Sequence, residues 1–329
     1  MSTTTPAVKF ADLKSYAVPD PRISISQIIT SFVPYIALWG VSLWLVQQGR
    51  FWLSLPVSVL ASLFLVRIFI LQHDCGHGSF FAEKKRCTFV GRLASLFTFT
   101  PYAKWRDDHN QHHARVGKLE GRGVGDIMTW TVDEYRAATP RARLGYRLYR
   151  NPWLLFSIGA IGLFLIGHRI PGKTTKKLAT SVHWTTVSLV VFYGLLIWLI
   201  GWKSFLMVQL PIIWLAATMG VWLFYVQHQF ADTYWRPAED WSIWDASLLG
   251  SSYYDLPPLL QWLTGNIGLH HIHHLNAKIP NYRLQEVQDT VPQMKNAVRL
   301  DLLTALRSLP LALWDPEAGK LVRIAEVKV

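Results

Sequence analysis

The chain has 329 residues and a formal net charge of +12, with 51% hydrophobic residues, 16% charged residues and sixteen tryptophans. This apolar and aromatic composition is not that of an ordinary soluble enzyme and indicates an integral membrane protein. The lysines and arginines stand in blocks that flank apolar runs, as in membrane loops, and no nucleic-acid-binding signature accompanies them. Composition therefore argues against nucleic acid as a partner.

The N-terminal segment 1–24 has no apolar core of the signal-peptide type. We predict that it is a polar arm, either disordered or lying on the membrane surface. The two cysteines, Cys75 and Cys87, are too few for a disulfide framework and are predicted to be reduced thiols.

The first two apolar runs, 25–46 and 51–72, are each long enough to cross a hydrocarbon core of about 30 Å. Only four residues separate them, which predicts a tight helical hairpin. Arg67 is the one charge in the second run, and we expect it to snorkel towards the membrane surface. The run 88–102 is short and interrupted by Arg92, so it is predicted to be interfacial.

Three more apolar runs follow, at 152–167, 184–200 and 205–227, and the last two form a second tight hairpin. The histidine clusters can meet only if an even number of crossings separates them. We therefore predict that 152–167, the shortest run, is interfacial.

The predicted fold is all-α, with four transmembrane helices in two hairpins, interfacial helices and a helical cap. Residues 25–310 form the membrane domain and 311–329 a C-terminal tail. Because the hairpin turns carry only Arg50 and Lys203, the positive-inside rule predicts that the cap and both termini are cytosolic.

Three histidine clusters stand outside the apolar runs: HDCGH at 73–77, HNQHH at 109–113 and HHIHH at 270–274. On a helix, positions i, i+3 and i+4 share one face, which gives three local ligand sets. The predicted metal ligands are His73, His77, His109, His112, His113, His270, His273 and His274. Eight imidazoles exceed the need of one ion that keeps a position open, so two metal ions are the natural count.

Imidazole suits zinc, copper, iron and nickel alike, so the ligand set does not select the metal. The site faces a membrane and has no carboxylate at ligand spacing. These features favour oxygen chemistry on a lipid over metal-assisted hydrolysis of a polar substrate.

The three clusters, together with GRGVGDIMTWTVDEY, WLFYVQHQFADTYW and IPNYRL, resemble the integral-membrane fatty acid desaturases. The resemblance covers residues 30–310 and is closest to the bacterial acyl-lipid type that acts at the delta-12 (omega-6) position. It implies two irons on the cytosolic side of four helices, with His228 as a further ligand at the end of the fourth. It also implies O2 as co-substrate, a membrane lipid acyl chain as substrate, a cis double bond as product and the bacterial inner membrane as location.

Four acidic residues near the clusters are candidates for holding ligating imidazoles by hydrogen bonds: Asp74, Asp108, Asp126 and Asp232. Related sequences carry an acidic residue directly after HQF, where this chain has Ala231, so Asp232 would have to substitute for it. His271 should point away from its neighbours on a helix and is not expected to be a ligand. His168 and His183 flank apolar runs and are predicted to be interfacial.

The chain has neither a haem-binding H-P-G-G stretch nor a cysteine set for an iron-sulfur cluster. A separate ferredoxin or cytochrome partner is therefore expected to deliver electrons. The nearest alternative is a fatty acid or carotenoid hydroxylase or ketolase on the same scaffold. A non-catalytic membrane metal-binding protein and a zinc-dependent lipid hydrolase are more remote alternatives.

Overall fold

Four long apolar helices form the body of the protein in the computed structural model, which describes residues 13–123 and 125–328. They are α1 (Pro21–Gln47), α2 (Phe51–His77), α8 (Lys176–Ile200) and α9 (Trp202–His228), each long and apolar enough to cross a membrane. The predicted four spans in two hairpins are thus confirmed, although every helix is longer than its apolar run. Residues 1–12 of the predicted N-terminal arm lie outside the described residues, and α1 begins inside the rest of it.

Shorter helices surround this body on the side where α2 and α9 end. They are α3 (Lys84–Thr98), α4 (Tyr102–Arg115), α5 (Val132–Ala137), α6 (Pro140–Tyr149), α7 (Ala160–Leu165), α10 (Ile243–Leu248), α11 (Pro258–Leu263), α12 (His270–Leu275), α13 (Leu284–Thr290) and α14 (Leu302–Arg307). A π-helical turn, Leu154–Gly159, precedes α7. Single 3-10 turns lie at Lys14–Tyr16, Leu119–Gly121, Gly167–Arg169, Ala238–Asp240, Asn281–Arg283, Pro292–Asn296 and Ile324–Glu326.

The apolar run 152–167 does not form a long straight helix. Residues 154–167 of the run lie in the segment Leu154–Arg169, which is bent by 66° from α6. Together with α6 it is long and apolar enough for a broken span or a re-entrant segment. His112 of the second cluster meets His228, and α8 and α9 already supply two crossings between them, so the interfacial placement of this run stays a prediction that rests on crossing parity. The predicted interfacial run 88–102 falls on α3 and the start of α4.

Two small sheets hold the cap together. Strands β1 (Trp130–Thr131), β4 (Leu311–Asp315) and β5 (Lys320–Arg323) form one sheet, in which β1 and β4 are parallel and β4 and β5 are antiparallel. Strands β2 (Tyr253–Tyr254) and β3 (Arg299–Leu300) pair in parallel. The segment predicted as a C-terminal tail therefore begins with a β-hairpin, whose buried Leu313 packs with Tyr135 and Tyr146.

Helix α2 lies at the centre and packs against α1, α3 and α9. The expectation that Arg67 snorkels is wrong, because its side chain is only 2% exposed. Its guanidinium lies 4.1 Å from the centroid of the Trp262 ring and donates to the Trp262 carbonyl oxygen. Residue Trp262 of the cap therefore contacts α2 and binds the Arg67 guanidinium inside the protein, so the side chain does not extend to the membrane surface.

Candidate metal centre

Four elements carry the histidines to one place. The last turn of α2 presents His73 and His77, which are four residues apart and therefore share a face, and α9 ends at His228. Helix α4 presents His109, His112 and His113, and the short helix α12 presents the third cluster. The nine histidines predicted as ligands all meet on the cap side of the four long helices.

The nine side chains form two groups, in each of which the candidate ligand nitrogens lie within 4.8 Å of one another. One group contains His73, His77, His109, His113 and His273, and the other contains His112, His228, His270 and His274. Helices α4 and α12 each contribute to both groups, whereas α2 serves only the first and α9 only the second. The groups are adjacent, since the rings of His113 and His274 stack at 4.1 Å between centroids.

The loop before α12 fixes the third cluster through two glycines of the GNIG sequence. Gly265 has a φ of +56°, and a Cβ there would lie 2.8 Å from Cγ2 of Ile70 on α2. A Cβ on Gly268 would lie 2.4 Å from the carbonyl oxygen of Tyr254. Only glycine permits both the left-handed turn and these approaches, so this loop presses α12 against α2 and β2.

The contacts between imidazoles favour metal ligation over simple hydrogen bonding. Nε2 of His228 lies 3.1 Å from Nε2 of His112 and 3.0 Å from that of His270, which is itself 3.0 Å from that of His274. In the other group, Nε2 of His113 lies 3.1 Å from that of His109 and 3.0 Å from that of His273.

A ring nitrogen directs one lone pair or one N–H in the ring plane and can serve only one partner. His228, His270 and His113 each face two partners, so hydrogen bonds alone cannot satisfy the network. Lone pairs that converge on a shared cation can satisfy it, and the residues therefore fit a metal in each group.

Electrostatics keeps these lone pairs available at neutral pH. Burial lowers the pKa of six cap histidines well below the ordinary imidazole value, and repulsion between neighbouring rings lowers it further. The six are His109, His112, His113, His270, His273 and His274. Neutral imidazole is the form that binds a transition metal, so little proton release is needed for these residues to act as ligands.

Asp74 fixes the orientation of one ring and is itself held by residues far away in the sequence. Its Oδ1 lies 3.1 Å from Nδ1 of His73, which leaves Nε2 of that ring free for the first group. Its Oδ2 accepts hydrogen bonds from the backbone N and from Nδ2 of Asn281, at 2.8 and 2.9 Å. Asn281 in turn exchanges two side-chain hydrogen bonds with Gln27 of α1. A buried polar chain therefore links α1, the IPNYRL segment and the first histidine group.

The other three acidic candidates behave differently. Asp108 pairs with Lys104 one turn earlier on α4, and Asp232 is exposed. Asp126 accepts a hydrogen bond from the backbone N of Ile127 and lines the neighbouring cavity. Within 13–123 and 125–328, Asp74 alone of the four is hydrogen-bonded to a histidine of the clusters.

His271 is in neither ligand group, as the helical pattern predicts. Its Nε2 lies 3.0 Å from Oε1 of Gln288 on α13, and burial lowers its pKa to about 4. The second ring nitrogen of His228, Nδ1, lies 3.1 Å from the carbonyl oxygen of Gly250. The Gly250 carbonyl oxygen therefore orients the ring of His228, just as the Asp74 carboxylate orients the ring of His73.

Sequence reasoning missed Asn281, Gln27 and Gly250. Asn281 lies in the IPNYRL stretch that carried part of the resemblance, and Gln27 is a polar residue in an apolar run. Each of these residues could be noticed in the sequence, but the sequence did not indicate that they pair across more than 250 residues. A backbone carbonyl such as that of Gly250 leaves no sequence signal.

An apolar cavity of about 950 Å³ opens beside the two groups. It runs between α2, α9 and the bent segment Leu154–Arg169, and His73, His109 and His270 line one end. Along α9 it extends from Ile213 to Gln227, a distance of about 21 Å at 1.5 Å per residue. Its lining also includes the charged residues Lys104, Asp108 and Asp126 and the imidazole of His168, whereas His183 is exposed on α8.

The fold and the site together define a helical membrane protein with two polyhistidine groups beside a long apolar cavity. Residues 50–299 match the family model described as fatty acid desaturase. The chain is 42% identical to a fatty acid desaturase of Bacillus subtilis over 95% of this chain and 89% of that protein.

It is 30% identical to the sn-1 oleoyl-lipid 12-desaturase of Synechocystis over 71% of this chain and 67% of that one. The chloroplastic omega-6 fatty acid desaturase of Arabidopsis thaliana is 25% identical over 74% of this chain and 54% of its own length. The chain belongs to the fatty acid desaturase family and is an oxidoreductase of that class.

Proposed function

We propose that this protein is an O2-dependent desaturase that introduces a cis double bond at the delta-12 (omega-6) position of a membrane-lipid acyl chain, using two irons. The observation that carries the proposal is the apolar cavity that ends on histidines of both groups. An acyl chain fits a cavity whose lining is mostly apolar, and His73, His109 and His270 supply polar groups at the end where chemistry would take place.

Two irons would be held by the two histidine groups, one by each. In a site made of neutral imidazoles, iron is one of the metals that the donor set suits, and the family relationship favours it over zinc. When bound, the metal supplies one-electron and oxygen chemistry that no side chain offers. The overall reaction takes two hydrogens from adjacent methylenes and combines them with O2, two electrons and two protons to give a C=C bond and two waters.

The chain's own residues bind, orient and shield the substrate. Ile213, Ala216 and Gly220 of α9 face Leu65 and Phe69 of α2 across the cavity, so the acyl chain is held between two rigid helices. Placing one C–C bond beside the histidines accelerates its reaction by restricting its orientation. The apolar walls also exclude water from the reacting methylenes.

The electron donor is a separate ferredoxin or cytochrome. The cap carries a basic surface, which includes the exposed Arg141 and Arg147 of α6. Such a surface suits an acidic donor protein and speeds its association. The positive-inside rule supports a cap on the cytosolic face, with the four helices in the bacterial inner membrane.

Expression in a host rich in monounsaturated fatty acids, shown to supply electrons and iron, tests the proposal. We expect new diunsaturated acyl chains with the second double bond at delta-12 by mass spectrometry of derivatised lipids, and their loss in His112→Ala. His183→Ala, at an exposed histidine of α8 that is in neither histidine group, is the matched control and should leave the double-bond position unchanged. Hydroxylated chains in place of new double bonds, or an unchanged lipid profile, contradict the proposal.

A further inference from the structure

A second cavity, of about 560 Å³, lies on the opposite side of α2 from the acyl cavity. Its walls come from the start of α1, from Arg67 of α2, and from the cap residues Trp262, Asn266 and Tyr282. Leu65, Val66 and Phe69 face the acyl cavity, whereas Arg67 points the other way, so the two cavities are separated by the helix itself.

Two arginines line this cavity, and no acidic residue does. Arg22 lies in the first turn of α1, and Arg67 lies 2% exposed deeper along α2. Within the part of the chain that the structure describes, neither guanidinium forms an ion pair. The cavity therefore holds two positive charges without a counter-charge from these residues.

Trp262 satisfies Arg67 only in part. One guanidinium nitrogen, Nη1, donates to the Trp262 carbonyl oxygen and the group stacks on its ring, while the buried Nε has no partner in the described chain. A guanidinium has five N–H donors in one plane and is matched by the oxygens of a carboxylate or phosphate. A buried charge at membrane depth is costly unless an opposite charge accompanies it.

The depth of the cavity indicates where its ligand comes from. Arg67 lies 16 residues, or about 24 Å, along α2 from Phe51, which places it near the far edge of a hydrocarbon core of about 30 Å. Arg22 lies nearer the cap, beside the exposed Ser26 and Thr30 on the outer face of α1. The cavity thus spans the depth of lipid headgroups and opens on the helix face that meets lipid.

We infer that this cavity binds the phosphate group of a membrane phospholipid between Arg22 and Arg67. The hydroxyl of Ser26 and the second N–H of Asn266 Nδ2, whose first N–H donates to the Asn281 carbonyl oxygen, can serve the remaining phosphate and glycerol oxygens. The hydroxyls of Thr30 and Tyr282 also line the cavity, but they donate to the backbone oxygens of Ser26 and Asp20. Gln27 also lines the cavity and is hydrogen-bonded to Asn281, so the bound headgroup adjoins the polar chain that leads to Asp74 and the first histidine group.

Native mass spectrometry of the full chain in detergent tests the inference without requiring turnover. The probes are dioleoyl phosphatidylglycerol, uncharged diglucosyl diacylglycerol of the same acyl composition, and glycerol 3-phosphate. We expect the phosphatidylglycerol to bind at least about tenfold more tightly than the uncharged lipid, and Arg22→Gln and Arg67→Gln each to weaken it by about tenfold. Arg92→Gln, an exposed arginine on α3, is the matched control and should bind like the wild type.

Arg22 lies on the surface, so Arg22→Gln keeps the test valid if Arg67→Gln fails to fold. Equal binding of the charged and uncharged lipids overturns the inference, as does an undiminished preference in Arg22→Gln. An equal loss in Arg92→Gln assigns the preference to general surface charge and also overturns it. Displacement of the lipid by an equal concentration of glycerol 3-phosphate assigns the cavity to a soluble phosphate and refutes the membrane source.

Discussion

Asn281→Ala perturbs the metal centre without touching a ligand. The substitution removes the Nδ2 hydrogen bond to Asp74 and both side-chain bonds to the buried Gln27, while the backbone N of residue 281 still reaches Asp74. A hydrogen bond to a charged group contributes about 1.5–3 kcal/mol, and leaving a buried amide unsatisfied costs about 1–3 kcal/mol. We therefore expect a loss of roughly 3–5 kcal/mol in folding free energy.

The same change should weaken metal binding, because Asp74 orients the ring of His73. Loss of such an orienting partner typically lowers metal affinity by about 10–100-fold. The assay measures the metal that remains after treatment with increasing chelator, together with the thermal unfolding midpoint. Asn296→Ala, on an exposed asparagine, is the matched control. Unchanged chelator resistance in Asn281→Ala would refute the role assigned to the polar chain.

Three further tests, which use four substitutions, address other parts of the site. His273→Ala should lose bound metal, because His273 belongs to the first histidine group. His271→Ala should keep its metal and lower only the unfolding temperature, because His271 contacts Gln288 on α13. Metal analysis of both variants distinguishes the two roles. A Cβ on Gly220 meets no atom within 4 Å, so Gly220→Leu should project into the acyl cavity and reduce turnover of long chains while metal content stays at the wild-type level. Burial raises the pKa of Asp126 to about 6, above an unfolded value of about 3.9. The folded state therefore binds more protons between these values, and stability falls as pH rises from about 4 to about 6. Asp126→Asn should remove this contribution, so that its unfolding midpoint falls less, or rises more, than that of the wild type between about pH 4 and pH 6. The same pH dependence in both proteins would refute the assignment.

Hydropathy predicts the four spans because a helix needs about 20 apolar residues to cross the bilayer. It predicts the ends of those helices poorly. The last turn of α2 carries His73, Asp74 and His77, which are polar yet helical, because their partners lie in the cap and not in lipid. The prediction that the run 152–167 is interfacial rests on the requirement that an even number of crossings separates the histidine clusters. Hydropathy alone does not give this prediction.

Helical spacing predicts which histidines share a face, and it correctly separates His271 from its neighbours. It does not predict that α4 divides its histidines between the two groups. That division depends on how α4 packs against α2 and α8 and on the contact of His112 with His228 at the end of α9, which are tertiary properties. The β-hairpin at Leu311–Arg323 was missed for the same reason, because its partner strand, Trp130–Thr131, lies about 180 residues earlier.

The fate of Arg67 shows where a local rule fails. A lone arginine near a span end is ordinarily expected to reach the surface. Here Trp262 of the cap offers both a ring and a carbonyl oxygen at membrane depth, so the charge stays buried. Nothing in the apolar run itself indicates that Trp262, about 195 residues later in the cap, contacts Arg67.

The metal content of the purified chain tests the central claim most directly. Two histidine groups, one with five and one with four candidate ligands, predict two irons per chain by elemental analysis. Removal of His112 or His228 should deplete the second group and leave about one iron, since the first group keeps all its ligands. A single zinc per chain, or no metal retained by the full set of nine histidines, would contradict the account.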